Sequence, residues 1–226
     1  MPTQPHPCPY LSNQNARSEY VDPRENLSQS ELTQLSQSGF RRSGKLVYRP
    51  ACTDCNECQS VRLPTQEFTL SRNMKRLLKK NQHWNLSIEL PDEAMQLYPL
   101  YKRYIRGRHA DGDMYPPNPE TYREFLVEGL GNSRYLVARD GGEVIGVLVF
   151  DIFDDGLSSV YCFYAPEAEA LSVGTTLIIR LSQLAASLGY QYNYLGYLVN
   201  DCRKMSYKKR FQPLQVLRNN TWQPLI

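Results

Sequence analysis

The stretch RYLVARDGGEVIGVLVFDIFDDGLSSVYCFYAP, which begins at Arg134, constrains the chain more than any other. Three apolar runs are separated by DGGE and DDG, and Gly and Asp are the residues that tolerate the backbone of tight reversals. The stretch therefore reads as an antiparallel meander of three strands. SVGTTLIIRLSQLAASLG follows as a helix, with Leu177, Leu181, Leu184 and Leu188 on one face and Gly189 at its stop. YQYNYLGYLV is a further strand, DCRKMSYKKRF a short helix, and LQVLRNNTWQPL a terminal hairpin.

Upstream of the meander the pattern is helical. SRNMKRLLKKNQHW has Met74, Leu77 and Leu78 on one face, with Arg72, Arg76, Lys79 and Lys80 opposite. PDEAMQLYPLYKRYIRGRH is a longer helix that Asp92 caps and Pro99 kinks. NPETYREFLVEG is a third, with Asn118 as its cap and Pro119 at its first position. SQSELTQLSQSG is a short helix capped by Ser30, and KLVYRP and SVRLPTQEF are strands on either side of a cysteine loop. The expected division is a Cys-bearing N-terminal region, residues 1–70, followed by an α/β domain, residues 71–226.

No apolar run approaches the ~18 residues of a membrane helix, and MPTQPHPCPYLSNQ has neither the basic nor the apolar segment of a secretory signal. A reducing cytoplasm is the expected compartment. Six cysteines there favour thiol or metal chemistry over disulfides. The net charge is only +3, but Arg72, Lys75, Arg76, Lys79 and Lys80 form one basic cluster, and Arg203, Lys204, Lys208, Lys209 and Arg210 another. Sixteen tyrosines beside such clusters suit a polar, aromatic-rich cleft, although tyrosine is also an ordinary core residue.

Helices, a three-strand meander, then helix, strand, helix and hairpin is similar to the element order of the acyl-CoA N-acyltransferase (GNAT) fold, an α/β (α+β) class. In that fold the fourth and fifth strands splay, and the acyl donor lies in the gap. Its phosphates sit on a Gly-rich turn at the start of the next helix. Here that turn is EALSVGTTL, with the single glycine Gly174, which serves equally as an ordinary helix-start residue. A weak CoA cradle invites another activated acyl donor. Aminoacyl-tRNA is one, because its ester is already activated and basic segments hold an acceptor stem through phosphate contacts. A solvated helix face is the other reading of residues 72–80.

YLGYLVNDCRKMSYKKRFQP resembles the C-terminal motif of the arginyl-tRNA–protein transferase family. So do RHADGDM, VFDIFDDGLSSVYCFYAP, SVGT and FRRSGKLVYRPACTDC, all in the family's order. The short chain is similar to the family's bacterial branch, the aspartate/glutamate leucyltransferases. The resemblance implies leucine transfer from leucyl-tRNA to protein N-termini that begin with Asp or Glu, which marks those proteins for N-degron degradation. Arginyl-tRNA as donor, a CoA-dependent acetyltransferase and a non-catalytic zinc-bearing RNA-binding protein are the alternatives.

The chemistry requires an amine that loses a proton and an oxyanion that is stabilised. Asp151, at the end of VIGVLVFD, is the candidate anchor or base for the amine, or else a turn cap before DDG. Tyr161 and Tyr164 lie on the candidate splayed strand, where two-residue alternation points them to opposite faces. An acidic N-terminal residue needs a forked cationic partner, for which Arg41, Arg42, Arg108 and His109 are candidates. Lys204, Tyr207 and Lys208 are spaced to share a helix face toward the tRNA terminus, and Arg72, Lys75, Arg76, Lys79 and Lys80 are candidate tRNA contacts. A plain surface charge is the other reading of each. Cys8, Cys52, Cys55 and Cys58 are candidate ligands of a structural zinc or iron–sulfur cluster, or a redox-sensitive thiol group, or inert packing. In the eukaryotic relatives an N-terminal cysteine pair is implicated in such a site; Leu11 stands where the second of that pair is expected. Apart from aminoacyl-tRNA as co-substrate, the transfer itself needs no cofactor.

Overall fold

A computed structural model describes residues 1–112 and 114–225; position 113, inside RHADGDM, lies outside the described residues. The N-terminal part contains a two-stranded ribbon, β1 (His6–Pro7) with β2 (Asn15–Ala16), then β3 (Ser18–Tyr20), α1 (Gln29–Gln37), β4 (Arg41–Ser43) and β5 (Leu46–Pro50). The last three strands form an antiparallel sheet in the order β3-β5-β4. Helix α1 is capped by Ser28 rather than by the expected Ser30. Ser28 and Glu31 form a capping box, Ser28 N donating to Glu31 Oε2 at 2.8 Å and Glu31 N to Ser28 Oγ at 3.3 Å.

The rest of the chain follows as β6 (Gln59–Pro64), α2 (Arg72–Lys80), β7 (Asn85–Glu89), α3 (Tyr98–Arg108), α4 (Pro119–Tyr122), β8 (Ser133–Asp140), β9 (Glu143–Ile152), β10 (Gly156–Tyr164), α5 (Val173–Ser187), β11 (Tyr192–Leu198), β12 (Gln215–Arg218) and β13 (Thr221–Pro224). The eight-stranded sheet has the order β13-β12-β6-β11-β10-β9-β8-β7. The expected meander is β8–β10, paired antiparallel throughout. Strand β7 has no counterpart among the expected elements; NLSIE carries little apolar character, and it forms the outer edge beside β8.

Two other expectations are corrected. The long helix from residue 91 is a 3₁₀ segment, Pro91–Leu97, followed by α3, with the break falling beside Pro99. The helix expected over DCRKMSYKKRF shrinks to a 3₁₀ turn, Ser206–Arg210. β6, which belongs to the region expected over residues 1–70, lies between β11 and β12 as an interior strand. The N-terminal region is thus joined to the main sheet through β6.

Helices cover both faces of the sheet. On one, Phe163 of β10 meets Tyr101 of α3 with ring centroids 5.6 Å apart. On the other, Val173 and Leu177 of α5 lie over Gly146 of β9, where a side-chain carbon would clash with Val173 at 2.3 Å. The buried residues Val147, Val149, Phe150, Leu157, Phe163, Leu177, Leu181 and Leu198 belong to one continuous core between these layers. Burying each such side chain is worth about 1.5–3 kcal/mol. That rigidity fixes the strands bearing the candidate site.

The feature that makes the site is a fork in the sheet. β10 and β11, the only parallel pair among the described residues, are paired over Gly156–Ser158 against Tyr192–Tyr194. Beyond that point β10 continues to Tyr164 and β11 to Leu198 without bonding each other. Both strands are bulged where they part, between Ser159 and Tyr161 and between Tyr194 and Gly196. A bulge bends and twists its strand, so two of them side by side open the sheet.

Candidate active site

Arg41, at the start of β4, reaches into the fork. Its Nη2 donates to Ser159 O at 2.9 Å and Val160 O at 3.3 Å, carbonyls that β10 cannot offer to the departed β11. The other side of the gap is Gly196, at φ +78°, where any side chain would collide with the guanidinium. The signal is legible in YLGYL: a glycine inside a strand marks a bulge or the close approach of another group. Lys208 touches the β11 side, its Nζ donating to Tyr197 O. Expected on an exposed face with Lys204, it is instead 6% exposed, because the 3₁₀ turn carries it inward. Burial, aided by the Arg41 charge, pushes the ammonium down to about 7. Tyr207 beside it is half-buried, and burial pushes its phenol up to about 12.

Asp151 and Arg42 are placed differently from expectation. Arg42 Nε and Nη2 donate to Asp151 Oδ2 and Oδ1 at 2.6 and 2.8 Å, and Ser133 Oγ donates to Oδ1 at 2.9 Å. Both side chains are almost wholly buried. A carboxylate with both oxygens occupied and no path to solvent does not bind an incoming amine, and a guanidinium engaged in this way does not read an acidic side chain. The two residues instead tie β4 to β9. Nothing local in either segment signals the pairing, since the partners lie in strands far apart along the chain.

The other expected residues collect at the far end of β10. Tyr164 packs against Tyr104 of α3 with centroids 5.0 Å apart, and Arg108 lies 6.0 Å from the Tyr164 ring. His109 Nε2 stands 3.2 Å from Tyr104 Oη. Burial, then the positive charges of Lys204 and Arg108, hold the imidazole below its ordinary value. Arg108 pairs with Glu169, both substantially exposed. Tyr161 faces the other way, among Tyr101, Tyr104 and Phe125, with its hydroxyl 3.6 Å from Met114 Sδ. Tyr161 and Phe163 lie toward Tyr101 of α3, while Cys162 and Tyr164 border Gly174 of α5, the Tyr164 ring reaching Tyr104 of α3 as well. Tyr104 joins this group without any sign in the sequence, since an apolar-faced helix does not show which tyrosine meets a strand end.

Helix α2 presents Met74 inward, with Leu77 and Leu78 half-buried, and exposes Arg72, Lys75, Arg76, Lys79 and Lys80. Among the described residues none of these five forms an ion pair. The helix ends against the start of α5: Asn81 Nδ2 donates to Leu171 O and Thr176 Oγ1, each at 2.9 Å. Lys80 Nζ also donates to Ala170 O at 3.3 Å, so the C-terminal end of α2 lies beside the start of α5.

Cys8, Cys52, Cys55 and Cys58 border one cavity of about 750 Å³, which Tyr10, Tyr48 and Tyr197 also line. Among the described residues no three His, Cys, Asp or Glu side chains stand at metal-binding spacing. The thiols are nevertheless close enough to interact: burial and then Cys8, Cys52 and Cys55 push the Cys58 thiol up to about 12. Cys8 Sγ accepts from Leu11 N at 3.4 Å, and Cys52 Sγ from Arg17 N at 3.5 Å. Cys52 Sγ in turn donates to Arg17 O at 3.7 Å. Four sulfur donors are the ligand type that zinc and iron–sulfur centres take, but the sulfurs as placed do not stand at the spacing of a bound metal.

A family profile described as "Arginine-tRNA-protein transferase, C terminus" matches residues 96–218, and its N-terminal counterpart matches residues 6–76. A protein of Marinobacter nauticus named aspartate/glutamate leucyltransferase is 42% identical over 99% of this chain and 94% of its own length. One of Stutzerimonas stutzeri with the same name is 42% identical over 97% of this chain and 94% of its own. The chain belongs to the arginine-tRNA-protein transferase family. Its GNAT-like fold is shared with the solved structure of FemX, at a TM-score of 0.56 and 9% identity over 82% of this chain and 65% of that one. A protein of unknown function from Bacteroides thetaiotaomicron aligns at 0.50 and 12% identity, over 70% of this chain and 56% of its own.

Proposed function

We propose that this protein transfers leucine from leucyl-tRNA to the α-amine of polypeptides beginning with Asp or Glu, in the cytoplasm, marking them for N-degron degradation. The observation that carries the reading is the match, across nearly the whole chain, to relatives named as leucyltransferases with those acceptors. The open fork between β10 and β11 supports it as a seat for an activated acyl group. The donor ester lies in the fork, near Tyr161 and Tyr164. Arg41 uses only Nη2 in its bonds to β10, so its Nε and Nη1 remain to meet the oxygen that gains negative charge as the amine attacks. Holding the two substrates together supplies about 7–11 kcal/mol of the barrier reduction.

Arg108, His109 and Lys204 receive the acceptor's acidic side chain. The Arg108–Glu169 pair is exposed and so worth at most about 1 kcal/mol, which an acceptor carboxylate can replace. Helix α2 holds the acceptor stem by phosphate contacts. Arginyl-tRNA as donor is the second reading, favoured only by the wording of the family description. Transfer to peptides differing only in the first residue tests the acceptor: Asp and Glu peptides are expected to gain leucine, and equal gain by Lys and Ala peptides would refute the specificity.

Cys8, Cys52, Cys55 and Cys58 hold a structural zinc or iron–sulfur centre that fixes the N-terminal segment over β5 and β6. A bound metal would keep Cys58 ionised where burial alone favours its thiol. Elemental analysis of protein prepared without oxygen is expected to find about one zinc or one cluster per chain. Active protein with neither zinc nor iron would leave the four as free thiols.

A further inference from the structure

The transfer requires a proton acceptor, and Asp151, the residue expected to supply it, is taken by Arg42. The fork itself holds a different arrangement: two cations, one on each lip, with no carboxylate paired to either among the described residues. Arg41 bonds the carbonyls of Ser159 and Val160 on β10, and Lys208 the carbonyl of Tyr197 on β11. Among the described residues neither forms an ion pair. A buried lysine left without a counter-ion is costly in its charged form, and it escapes that cost by giving up its proton.

We propose that Lys208 is a catalytic residue, the base that takes the proton from the acceptor's α-amine as it attacks the leucyl ester. This rests on the reading of the reaction given above. The amine nitrogen bonds the ester carbonyl carbon, and its proton passes to the lone pair of Lys208 Nζ. As the tetrahedral centre collapses, the carbon–oxygen bond to the ribose breaks, and the Lys208 ammonium returns the proton to the ribose oxygen. Amide and hydroxyl result, the lysine ends as it began, and no further reactant is consumed. A neutral lysine suits the task, since one N–H keeps the bond to Tyr197 O while the lone pair stays free.

The surroundings bias Lys208 toward that state. Burial is the chief cause and the Arg41 charge the second, with Cys202, after β11, opposing them weakly; together they bring the group to about 7. A base is most effective when its pKa lies near the working pH. The rivals are less well placed. Tyr207 holds its proton to about 12. His109 stands at the end of α3, with Nε2 against Tyr104 Oη rather than at the fork. Arginine at position 208 keeps the charge and a donor for Tyr197 O, yet cannot become neutral.

The test is single-turnover leucine transfer by the full chain, wild type and K208R, from leucyl-tRNA to an Asp-initiated peptide between about pH 5.5 and 9. The wild-type rate is expected to fall on acidification with an inflection near pH 7, where Lys208 takes up its proton, over and above the titration of the peptide amine common to both proteins. K208R is expected to lose about 100-fold or more in rate and to lack that inflection, while binding both substrates. Transfer by K208R at the wild-type rate with the same inflection overturns the assignment and leaves the reaction standing; no leucine transfer by wild type overturns both. Should K208R fail to fold, wild-type protein labelled with ¹³C at the lysine ε-carbons decides by NMR. One lysine titrating near 7 and shielded from solvent upholds the proposal, and no lysine titrating below about 9 ends it.

Discussion

At the scale of single residues, the molecule separates charges that hold it together from charges left free to act. The Arg42–Asp151 pair is of the first kind: bidentate, buried and completed by Ser133. Removing one partner of such a pair strands a charge in the interior, at a cost of roughly 3–5 kcal/mol. Asp151→Asn is therefore expected to lower the melting temperature markedly, and Arg42→Met to do the same. The double variant Arg42→Met/Asp151→Leu should recover much of the stability, because replacing both partners leaves no unpaired charge. Thermal denaturation checks this. A fully stable Asp151→Asn with abolished transfer would return Asp151 to a role at the substrate amine. Arg41 and Lys208 are of the second kind: among the described residues neither pairs with a carboxylate.

Helix α2 is where the same distinction operates on an element. Its five exposed cations make no ion pairs among the described residues, while Met74 anchors the opposite face and Asn81 joins its end to α5. Charge-neutral replacements at Lys75, Arg76, Lys79 and Lys80 should therefore leave stability nearly unchanged. They should raise the KM for tRNA and flatten the dependence of binding on salt. On duplex nucleic acid, each phosphate no longer neutralised lowers the slope of log affinity against log salt by about 0.9. An unchanged slope would make the helix a solvated surface and nothing more. This helix is legible in the sequence because its whole identity lies in local periodicity. The turn at Ser206–Arg210 is not, for its spacing fits a helix until the chain must carry Lys208 down to β11.

Across the whole molecule, what the sequence discloses and what it hides follow the same division between local and long-range. The meander, α5 and the terminal hairpin carry their own turn and periodicity signals, and their order is enough to point to the fold. The N-terminal region reads as a separate unit because nothing in SVRLP reveals that its strand inserts between β11 and β12. The fork is expected only as a property of the fold; its occupant, Arg41, comes from a strand more than a hundred residues earlier and is admitted by Gly196. Cys8 likewise reaches the cavity of the other three cysteines only through the folding of the N-terminal ribbon.

Leucyl transfer at the fork, from tRNA to an acidic N-terminus, is the activity we propose. It is tested most directly by giving the purified chain leucyl-tRNA, arginyl-tRNA and acetyl-CoA together with an Asp-initiated peptide, and reading the product by mass spectrometry. A single added leucine on the α-amine is expected, abolished when the leucyl-tRNA is hydrolysed beforehand. An added arginine, or an acetyl group whose appearance needs no tRNA, would contradict it.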